Sequence, residues 1–532
     1  MRSKLGKVGT GLGFFLILMF QVATGFSAIL ISGIVDPMLV NELGVPAVIV
    51  GLLLGVHFLA EPIRSYIGSL SDRVAVKKLH RVPFMLGGGF LLALTYPLMI
   101  LVLGNLRDPN YHKIAGQVTS TTDYQAPLGW LIVAFAVFFL NGTGISIMGT
   151  AALSLIVDVT TEKVRGLIAA FGWTLLIVGF IVGTVISTQV LPDTEGFTFV
   201  YSSLYPVFLI IAPAVIMGLV LLACLGALLK EPRNAGVLVQ GRTYVNFRQA
   251  MGVVSRNRQT RWFFLFLLVS MTFIFMRDVL TPNYASNVFK MSLKERNTLQ
   301  NSINGPILIA MIATGLLTLR IAKDKITYVG IVLTAIGIAI QAISAFAFQV
   351  SQNAVQAYDT ASQQYSQQLI SKADYDTALA TWNSLISGNK GSFTLGLIVM
   401  GLGLGVAVPG LIGLMMDLTD SANAALYIGT WGIAQAFGQG LSNVLAGGLR
   451  DVAYNSFKSN LATGYALVFL FQGAGVLLSI WILRHINVAE FKRSLTIRNE
   501  QAEALAFAPI APSYSYYLKE TSTPASTKVE KR

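Results

Sequence analysis

Long apolar stretches recur twelve times along the chain of 532 residues. A helix needs about 20 mostly apolar residues to cross the hydrocarbon core of a bilayer, and each stretch is about that long. Only 12% of the residues are charged, whereas soluble domains have about 25%, so the apolar surface is too large for a water-soluble core. The sequence therefore predicts an all-α polytopic membrane protein with twelve transmembrane helices, at about 10–34, 46–68, 83–104, 128–156, 167–190, 203–229, 260–281, 303–320, 326–349, 392–416, 424–448 and 462–484.

The basic residues indicate how these spans are oriented. When the segments between spans are numbered alternately from the inside, most of the 38 Lys and Arg residues fall on the inside. This is the positive-inside asymmetry of membrane proteins, and it predicts that both termini are cytoplasmic. The orientation of the spans thus explains the formal net charge of +13, and no nucleic-acid partner is expected.

Two segments of the chain repeat each other. Residues 154–173 read SLIVDVTTEKVRGLIAAFGW and residues 413–432 read GLMMDLTDSANAALYIGTWG, so that Asp158 matches Asp417. The segments 68–78 and 315–325 match in the same way. Parallel repeats of six spans are typical of the major facilitator superfamily fold. This fold predicts an N-terminal half at 1–229, a cytoplasmic linker at 230–259, a C-terminal half at 260–486 with an extramembrane insertion at 350–391, and a largely disordered tail at 487–532.

The insertion at 350–391 has the pattern of a small helical hairpin. The segment SKAD at 371–374 resembles a capping box, and apolar residues follow at helical spacing: Tyr375, Leu379, Trp382 and Ile386. The hairpin could dock a partner or be a tolerated insertion, and the second interpretation is favoured.

The segment GSLSDRVAVKK at 68–78 resembles the signature that follows the second span in the major facilitator superfamily. Its expected role is a latch between helices, in which the carboxylate receives an Arg or a helix N-terminus in one conformation only. The alternative is that its basic residues only determine topology. The residues concerned are Gly68, Asp72, Arg73, Lys77 and Lys78.

Ionisable residues inside spans are costly and are therefore candidates for function. Glu61 and Arg64 stand at i, i+3 in the second span and can pair, either structurally or in gating. Arg277 and Asp278 lie near the outer end of the seventh span, and because adjacent residues point apart on a helix, each is expected to have its own partner.

Four neutral side chains inside the predicted spans are candidates for binding a pigment. The imidazole of His57 could ligate the metal of a chlorin, or it could be a hydrogen-bonded interior residue, which is the commoner case. The same choice applies to the amides Gln21, Gln435 and Gln439. The sequence has no catalytic or metal-ligand constellation and no Walker loop, which argues against an enzyme, a resident metal and an ATP-driven pump.

Several stretches resemble the PucC family, the bacteriochlorophyll-delivery branch of the major facilitator superfamily, which includes LhaA-like proteins. They are ELGVP at 42–46, IRSYIGSLSD at 63–72, HRVPF at 80–84, MGTAALSLIVD at 148–158, FMRDVLTPNYASNVFKMS at 275–292 and MMDLTDSANAALYIGTWGIAQAFGQGL at 415–441. The resemblance marks Arg64, Asp72, Arg81, Pro83, Asp158, Asp278, Asp417, Thr419, Trp431, Gly432 and Gln435 as positions of the family pattern. After Asp278 the chain departs from that pattern, because the family's acidic residue and Gly pair are absent.

The resemblance implies assembly of light-harvesting or reaction-centre complexes in a bacterial inner, photosynthetic membrane. It also implies (bacterio)chlorophyll as bound cargo, with antenna or reaction-centre polypeptides and membrane lipid as partners and no other cofactor. Two other functions stay open, a secondary transporter coupled to H⁺ or Na⁺ and a scaffold for antenna polypeptides that binds no pigment. The deep polar residues are amides and His57, which favours pigment handling or scaffolding over proton coupling.

Overall fold

The computed structural model of the protein describes residues 11–60, 67, 70, 71, 74, 79–107, 124, 127–160, 162–191, 201–231, 252, 254, 255, 257–317, 321–419, 424–494 and 496. Every regular element in these residues is a helix, as the composition predicts. The described residues fall into two compact units that divide between Val488 and Ala489. The second unit is helical at 489–494, and the rest of the predicted tail lies outside the described residues, as does most of the linker.

The first six membrane helices, numbered α1 to α6, form the N-terminal set. They are α1 (Gly11–Asn41), α2 (Ala47–Val56), α3 (Val82–Leu103), α4 (Leu128–Val159), α5 (Glu162–Val190) and α6 (Ala212–Lys230). After α2 the chain continues as a 3-10 turn at His57–Ala60. A π-helical stretch at Pro206–Ile211 precedes α6.

The next six long helices form the C-terminal set. They are α7 (Arg258–Asn287, with a turn at Met276), α8 (Asn301–Leu317), α9 (Lys323–Phe346), α10 (Lys372–Asp417), α11 (Ala424–Ser456) and α12 (Leu461–Leu483). A short helix at Leu293–Leu299 precedes α8, and a second one, the loop helix Gln352–Ser366, lies between α9 and α10.

Nine of the helices in the described residues are long and apolar enough to cross a membrane. Helix α2 is shorter, and α8 and α11 are not among the nine. A multi-pass membrane protein is therefore confirmed, whereas the count of twelve crossings stays a prediction, as do the boundaries of the two halves.

Several helices extend beyond the predicted spans, and three of these extensions matter for the packing. Helix α1 does not stop near residue 34 but runs to Asn41, because a π-helical stretch at Ile31–Val35 accommodates Pro37, which has no backbone N–H. Helix α11 continues beyond residue 448 to Ser456. The predicted tenth span and the helix before it are a single helix of 46 residues, α10, and the predicted capping box at Ser371 and Asp374 is present at its start.

Glycine allows the helices within the N-terminal set to touch through their backbones. A Cβ atom at Gly25 of α1 would lie 2.0 Å from the carbonyl oxygen of Leu176 in α5, and one at Gly179 would lie 2.3 Å from that of Val22. Such contacts between small residues are the usual way in which helices associate in lipid.

Candidate functional site

The N-terminal set carries a buried ion pair at one end of the bundle, called here the inner end because the sequence predicts it to be cytoplasmic. Arg81 precedes α3, and its Nη2 lies 3.1 Å from Oδ2 of Asp158 near the end of α4. Only 6% and 7% of these side chains are exposed. The other Nη atom of Arg81 donates to the hydroxyl of Ser71. Two positions of the family pattern are thus brought together.

Glu231 ties the end of α6 to the start of α3 beside this pair. Its carboxylate accepts hydrogen bonds from the backbone N–H groups of His80, Arg81 and Val82, the last two at 2.7 and 3.3 Å. The first N–H groups of a helix have no partner within the helix, and a carboxylate there also interacts favourably with the helix dipole. Sequence reasoning did not single out Glu231.

The C-terminal set has an ion pair at the equivalent place. Nζ of Lys323, at the start of α9, donates to both carboxylate oxygens of Asp417, at the end of α10, at 2.9 Å each. The threonines two residues after the two acids also match, because Thr160 and Thr419 each donate to the carbonyl oxygen four residues earlier. The sequence repeat therefore corresponds to a repeated structural unit.

Trp431 of α11 is fully buried. Its Nε1 donates to the hydroxyl of Thr419 at 3.3 Å, and its ring meets that of Phe263 edge to face at 4.7 Å. Gly432 is next to it, and a Cβ atom there would meet no atom within 4 Å. Trp431 and Thr419, both positions of the family pattern, thus join α11 to the end of α10.

The candidate pigment ligands lie on separate helices. His57 begins the 3-10 turn after α2 and is half-buried, and its carbonyl oxygen lies 2.1 Å from where a Cβ atom of Gly142 in α4 would be. Gln21 lies against Gly172 of α5. Gln435 and Gln439 are half-buried on α11. Within the described residues, hydrogen bonds do not join these side chains into one group, and no cluster of three or more His, Cys, Asp or Glu is present.

The five residues named for the predicted latch, Gly68, Asp72, Arg73, Lys77 and Lys78, lie outside the described residues. Glu61 and Arg64 of the predicted second span lie outside them as well.

Arg277 and Asp278 do not have separate partners, and this prediction is wrong. Nε of Arg277 donates to Oδ1 of Asp278 at 3.1 Å. Met276, which separates the two segments of α7, forms a turn there, and the long Arg side chain can reach its neighbour.

The opposite, outer end of the bundle holds several polar contacts between the two sets. Glu42, just after α1, accepts a hydrogen bond of 2.6 Å from Arg296, and both side chains are almost fully buried. Asn41 donates to Asn283 of α7 at 2.7 Å. Asn297 donates to the hydroxyl of Ser187 in α5 at 2.7 Å. The two sets are therefore held together at the outer end by buried polar groups.

Asp451 of α11 caps the first turn of α2 across the same interface. Its Oδ1 and Oδ2 accept hydrogen bonds from the backbone N–H groups of Ala47 and Val48 at 3.2 and 2.9 Å. Arg450 donates to the same carboxylate at 3.0 Å and stacks on the ring of Tyr454.

Helices α2 and α11 approach each other most closely at the outer end. A Cβ atom at Gly447 would lie 2.2 Å from the carbonyl oxygen of Ala47, and one at Gly51 would lie 2.3 Å from that of Asn443. Further in, a Cβ atom at Gly55 would lie 3.3 Å from the carbonyl oxygen of Gly440. The two helices are thus packed against each other along the described part of α2, most tightly at its outer end.

Sequence reasoning singled out Arg277 and Asp278 but missed the other charged residues at the outer end, because they fall beyond the predicted ends of spans. Asp36, Glu42 and Arg450 then count as loop residues. The signal that could have found Asp36 is the apolar run PMLV that follows it, since this run shows that the helix continues past the acid.

Solved transporter structures have the same fold. A bacterial homologue of the human lysosomal transporter Spinster has a TM-score of 0.60 at 11% identity, over 89% of this chain and 96% of that one. The nucleoside transporter NupG has a TM-score of 0.56 at 12% identity, over 90% and 98%. The proton:xylose symporter XylE, a member of the major facilitator superfamily, has 0.55 at 12%, over 90% and 96%. The protein therefore has the major facilitator superfamily fold.

Curated relatives are similar over most of the chain. Protein PucC of Cereibacter sphaeroides is 24% identical over 446 residues, which cover 82% of each chain. A protein of Rhodobacter capsulatus named bacteriochlorophyll synthase 44.5 kDa chain is 25% identical over 469 residues, which cover 86% of this chain and 91% of that one. The family model described as PUCC protein matches residues 34–358 and 375–491. The chain belongs to the PUCC family.

Proposed function

We propose that the protein is a non-catalytic membrane assembly factor of photosynthetic bacteria. It takes up newly made (bacterio)chlorophyll and passes it to the polypeptides of a light-harvesting or reaction-centre complex. The observation that carries the proposal is the PUCC family match over almost all of the membrane part of the chain. The name of the relative from Rhodobacter capsulatus, a bacteriochlorophyll synthase chain, supports the choice of pigment.

The elements that carry two candidate ligands pack against each other across the interface of the two sets. His57 begins the 3-10 turn after α2 and Gln435 lies on α11, and α11 contacts both α2 and that turn. An imidazole nitrogen is a good axial ligand for the metal of a tetrapyrrole. An amide oxygen is a weaker one. The apolar side chains of the two sets provide the surface for the rest of a chlorin.

The absorption spectrum of the purified protein tests the proposal. The full chain is isolated in mild detergent from a pigment-making host, as wild type and as His57→Ala and Gln435→Ala. We expect stoichiometric chlorin in the wild type and a loss of at least half in one of the two variants. His485→Ala is the matched control, because His485 is an exposed histidine that stacks on Trp262, and it should keep the full amount of pigment.

Two other outcomes would replace the proposal. A colourless wild-type protein that still co-purifies with antenna polypeptides would be a scaffold that binds no pigment. A colourless protein that drives proton- or sodium-linked uptake of a solute into proteoliposomes would be a secondary transporter.

A further inference from the structure

Asp36 is a fully buried acid in the outer interface between the two helix sets. It lies in α1 directly after the π-helical stretch Ile31–Val35, and none of its side chain is exposed. Both carboxylate oxygens are buried without a hydrogen-bond partner among the described residues. An isolated ionised carboxylate in such a place is very costly, whereas the neutral acid is much less so.

The charged groups around Asp36 come from three other elements. Arg450 of α11, Arg296 of the short helix Leu293–Leu299 and Asp278 of α7 are within electrostatic range of it. Arg277 shares α7 with Asp278 and pairs with it. Helix α2, which also packs against this end of α1, has no titratable side chain in Ala47–Val56.

The charges of this outer network do not balance if every acid is ionised. Among the described residues, the network contains four acids, Asp36, Glu42, Asp278 and Asp451, but only three guanidinium groups, those of Arg277, Arg296 and Arg450. Three of the acids have an Arg partner within 3.1 Å. The fourth acid, Asp36, has no hydrogen-bond partner for its carboxylate among the described residues. One proton on Asp36 makes the buried network neutral.

We propose that Asp36 is a proton-binding site that controls the outer interface. In the closed arrangement Asp36 holds a proton. When α1 separates from α7 and α11, water reaches the carboxyl, and the proton leaves to the outer solution. A rise in pH therefore favours opening at the outer end, and a fall in pH favours closure. The bond that breaks is the O–H bond of the carboxylic acid, and water accepts the proton.

The proposal does not depend on the identity of the cargo. It assigns an ion, H⁺, to a residue that the candidate pigment site does not use. Loss of chlorin from His57→Ala and loss of pH sensitivity from Asp36→Asn are separate measurements, so either can fail without the other.

Distance measurements between spin labels test the proposal on the full chain in lipid nanodiscs. The single cysteine, Cys224, is replaced by Ala, and labels are attached at Leu128→Cys in the N-terminal set and Val452→Cys in the C-terminal set, both exposed near the outer end. We expect the ratio of long to short distances to rise with pH, by up to about tenfold per pH unit for one linked proton. Asp36→Asn should stay at the short distance throughout.

Asp359→Asn is the matched control, since Asp359 is a buried acid outside this network and pairs with Lys290. It should keep the wild-type pH response. An unchanged response in Asp36→Asn, or no response in the wild type, would overturn the proposal. So would a response to replacing Na⁺ by choline at fixed pH, because this outcome would identify a sodium site.

Infrared spectroscopy gives a second measurement that needs no substitution at Asp36. In protein made with isotopically labelled aspartate and carrying Asp359→Asn, the closed form should show a protonated-carboxyl C=O band that the label shifts. Absence of that band at the pH where the short distance dominates would also overturn the proposal.

Discussion

Lys323 and Asp417 form the same contact between α9 and α10 that Arg81 and Asp158 form between α3 and α4. The two pairs differ in burial, because 33% and 29% of the side chains of Lys323 and Asp417 are exposed, against 6% and 7% for the other pair. Both sets thus have an ion pair at this place, but only the pair in the N-terminal set is buried. The energies of the two pairs should therefore differ.

Asp158→Asn should destabilise the protein far more than Asp417→Asn. Removing one charge of a buried pair leaves a desolvated partner and costs about 3–5 kcal/mol, whereas a pair exposed to this degree contributes about 0–1 kcal/mol. Thermal unfolding in detergent, followed by the loss of the monodisperse peak in size-exclusion chromatography, measures both. Equal shifts of the Tm for the two variants would contradict the prediction.

Gly447→Ala should weaken the outer contact between α2 and α11, whereas Gly448→Ala should not. The new methyl group at 447 would lie 2.2 Å from the carbonyl oxygen of Ala47, but at 448 the nearest atom is 3.9 Å away. Overpacking of this kind costs about 1–3 kcal/mol. The thermal stability of the two variants in detergent measures the difference, and equal tolerance of both would show that the two helices can move apart freely.

Trp431→Phe and Thr419→Val should have non-additive effects. Each removes the hydrogen bond between Nε1 and Oγ1, which contributes about 1 kcal/mol, so the double variant should cost less than the sum of the two single variants by about this amount. Trp431→Ala also leaves a cavity against Phe263 and should cost about 3–5 kcal/mol. Chemical denaturation in detergent of the wild type, the two single variants and the double variant gives the four free energies of unfolding of this double-mutant cycle. Additive losses would mean that the two residues act separately.

The loop helix Gln352–Ser366 should be held more tightly at low pH. Burial raises the pKa of the Asp359 carboxyl, and the ammonium group of Lys290 opposes this effect without cancelling it. An acid whose pKa is higher in the folded state than in the unfolded state stabilises the fold below its ordinary pKa, and this contribution is lost as the pH rises through the raised value.

Hydrogen exchange of the backbone amides of the loop helix, corrected for the intrinsic rate, measures this effect. Protection should fall as the pH rises in the wild type and should stay constant in Asp359→Asn. The exposed acid Asp376 gives the control, since Asp376→Asn should keep the wild-type pH dependence. A constant protection in the wild type would be evidence against a role for Asp359.

The helical class and the two acids of the inner-end pairs follow closely from the sequence, because hydropathy and a repeat are local signals. Asp158 and Asp417 stand out by their match with each other, and Trp431 by its place in the family pattern. Neither signal says which side chain meets them, and so Lys323 and Glu231 appear only when α3 packs against α6 and α9 against α10.

Apart from Arg277 and Asp278, the outer network could not be predicted in the same way because it depends on where helices end. A span that stops at residue 34 leaves Asp36 in solvent, whereas the helix that continues through Asp36 and Pro37 buries it. The difference is a few residues, within the ordinary uncertainty of helix ends, but it converts an exposed loop acid into a buried one.

The length of α10 has a mechanical consequence. At about 1.5 Å per residue, its 46 residues form a rod of about 70 Å, more than twice the thickness of the hydrocarbon layer. The stacked rings of Tyr358 and Trp382 fasten the loop helix to one end of this rod, and Asp417 is at the other. A polypeptide that binds the loop helix would therefore act on the same long helix that carries Asp417. A tilt of α10 at the loop-helix end would change the ion pair between Asp417 and Lys323 at the other end.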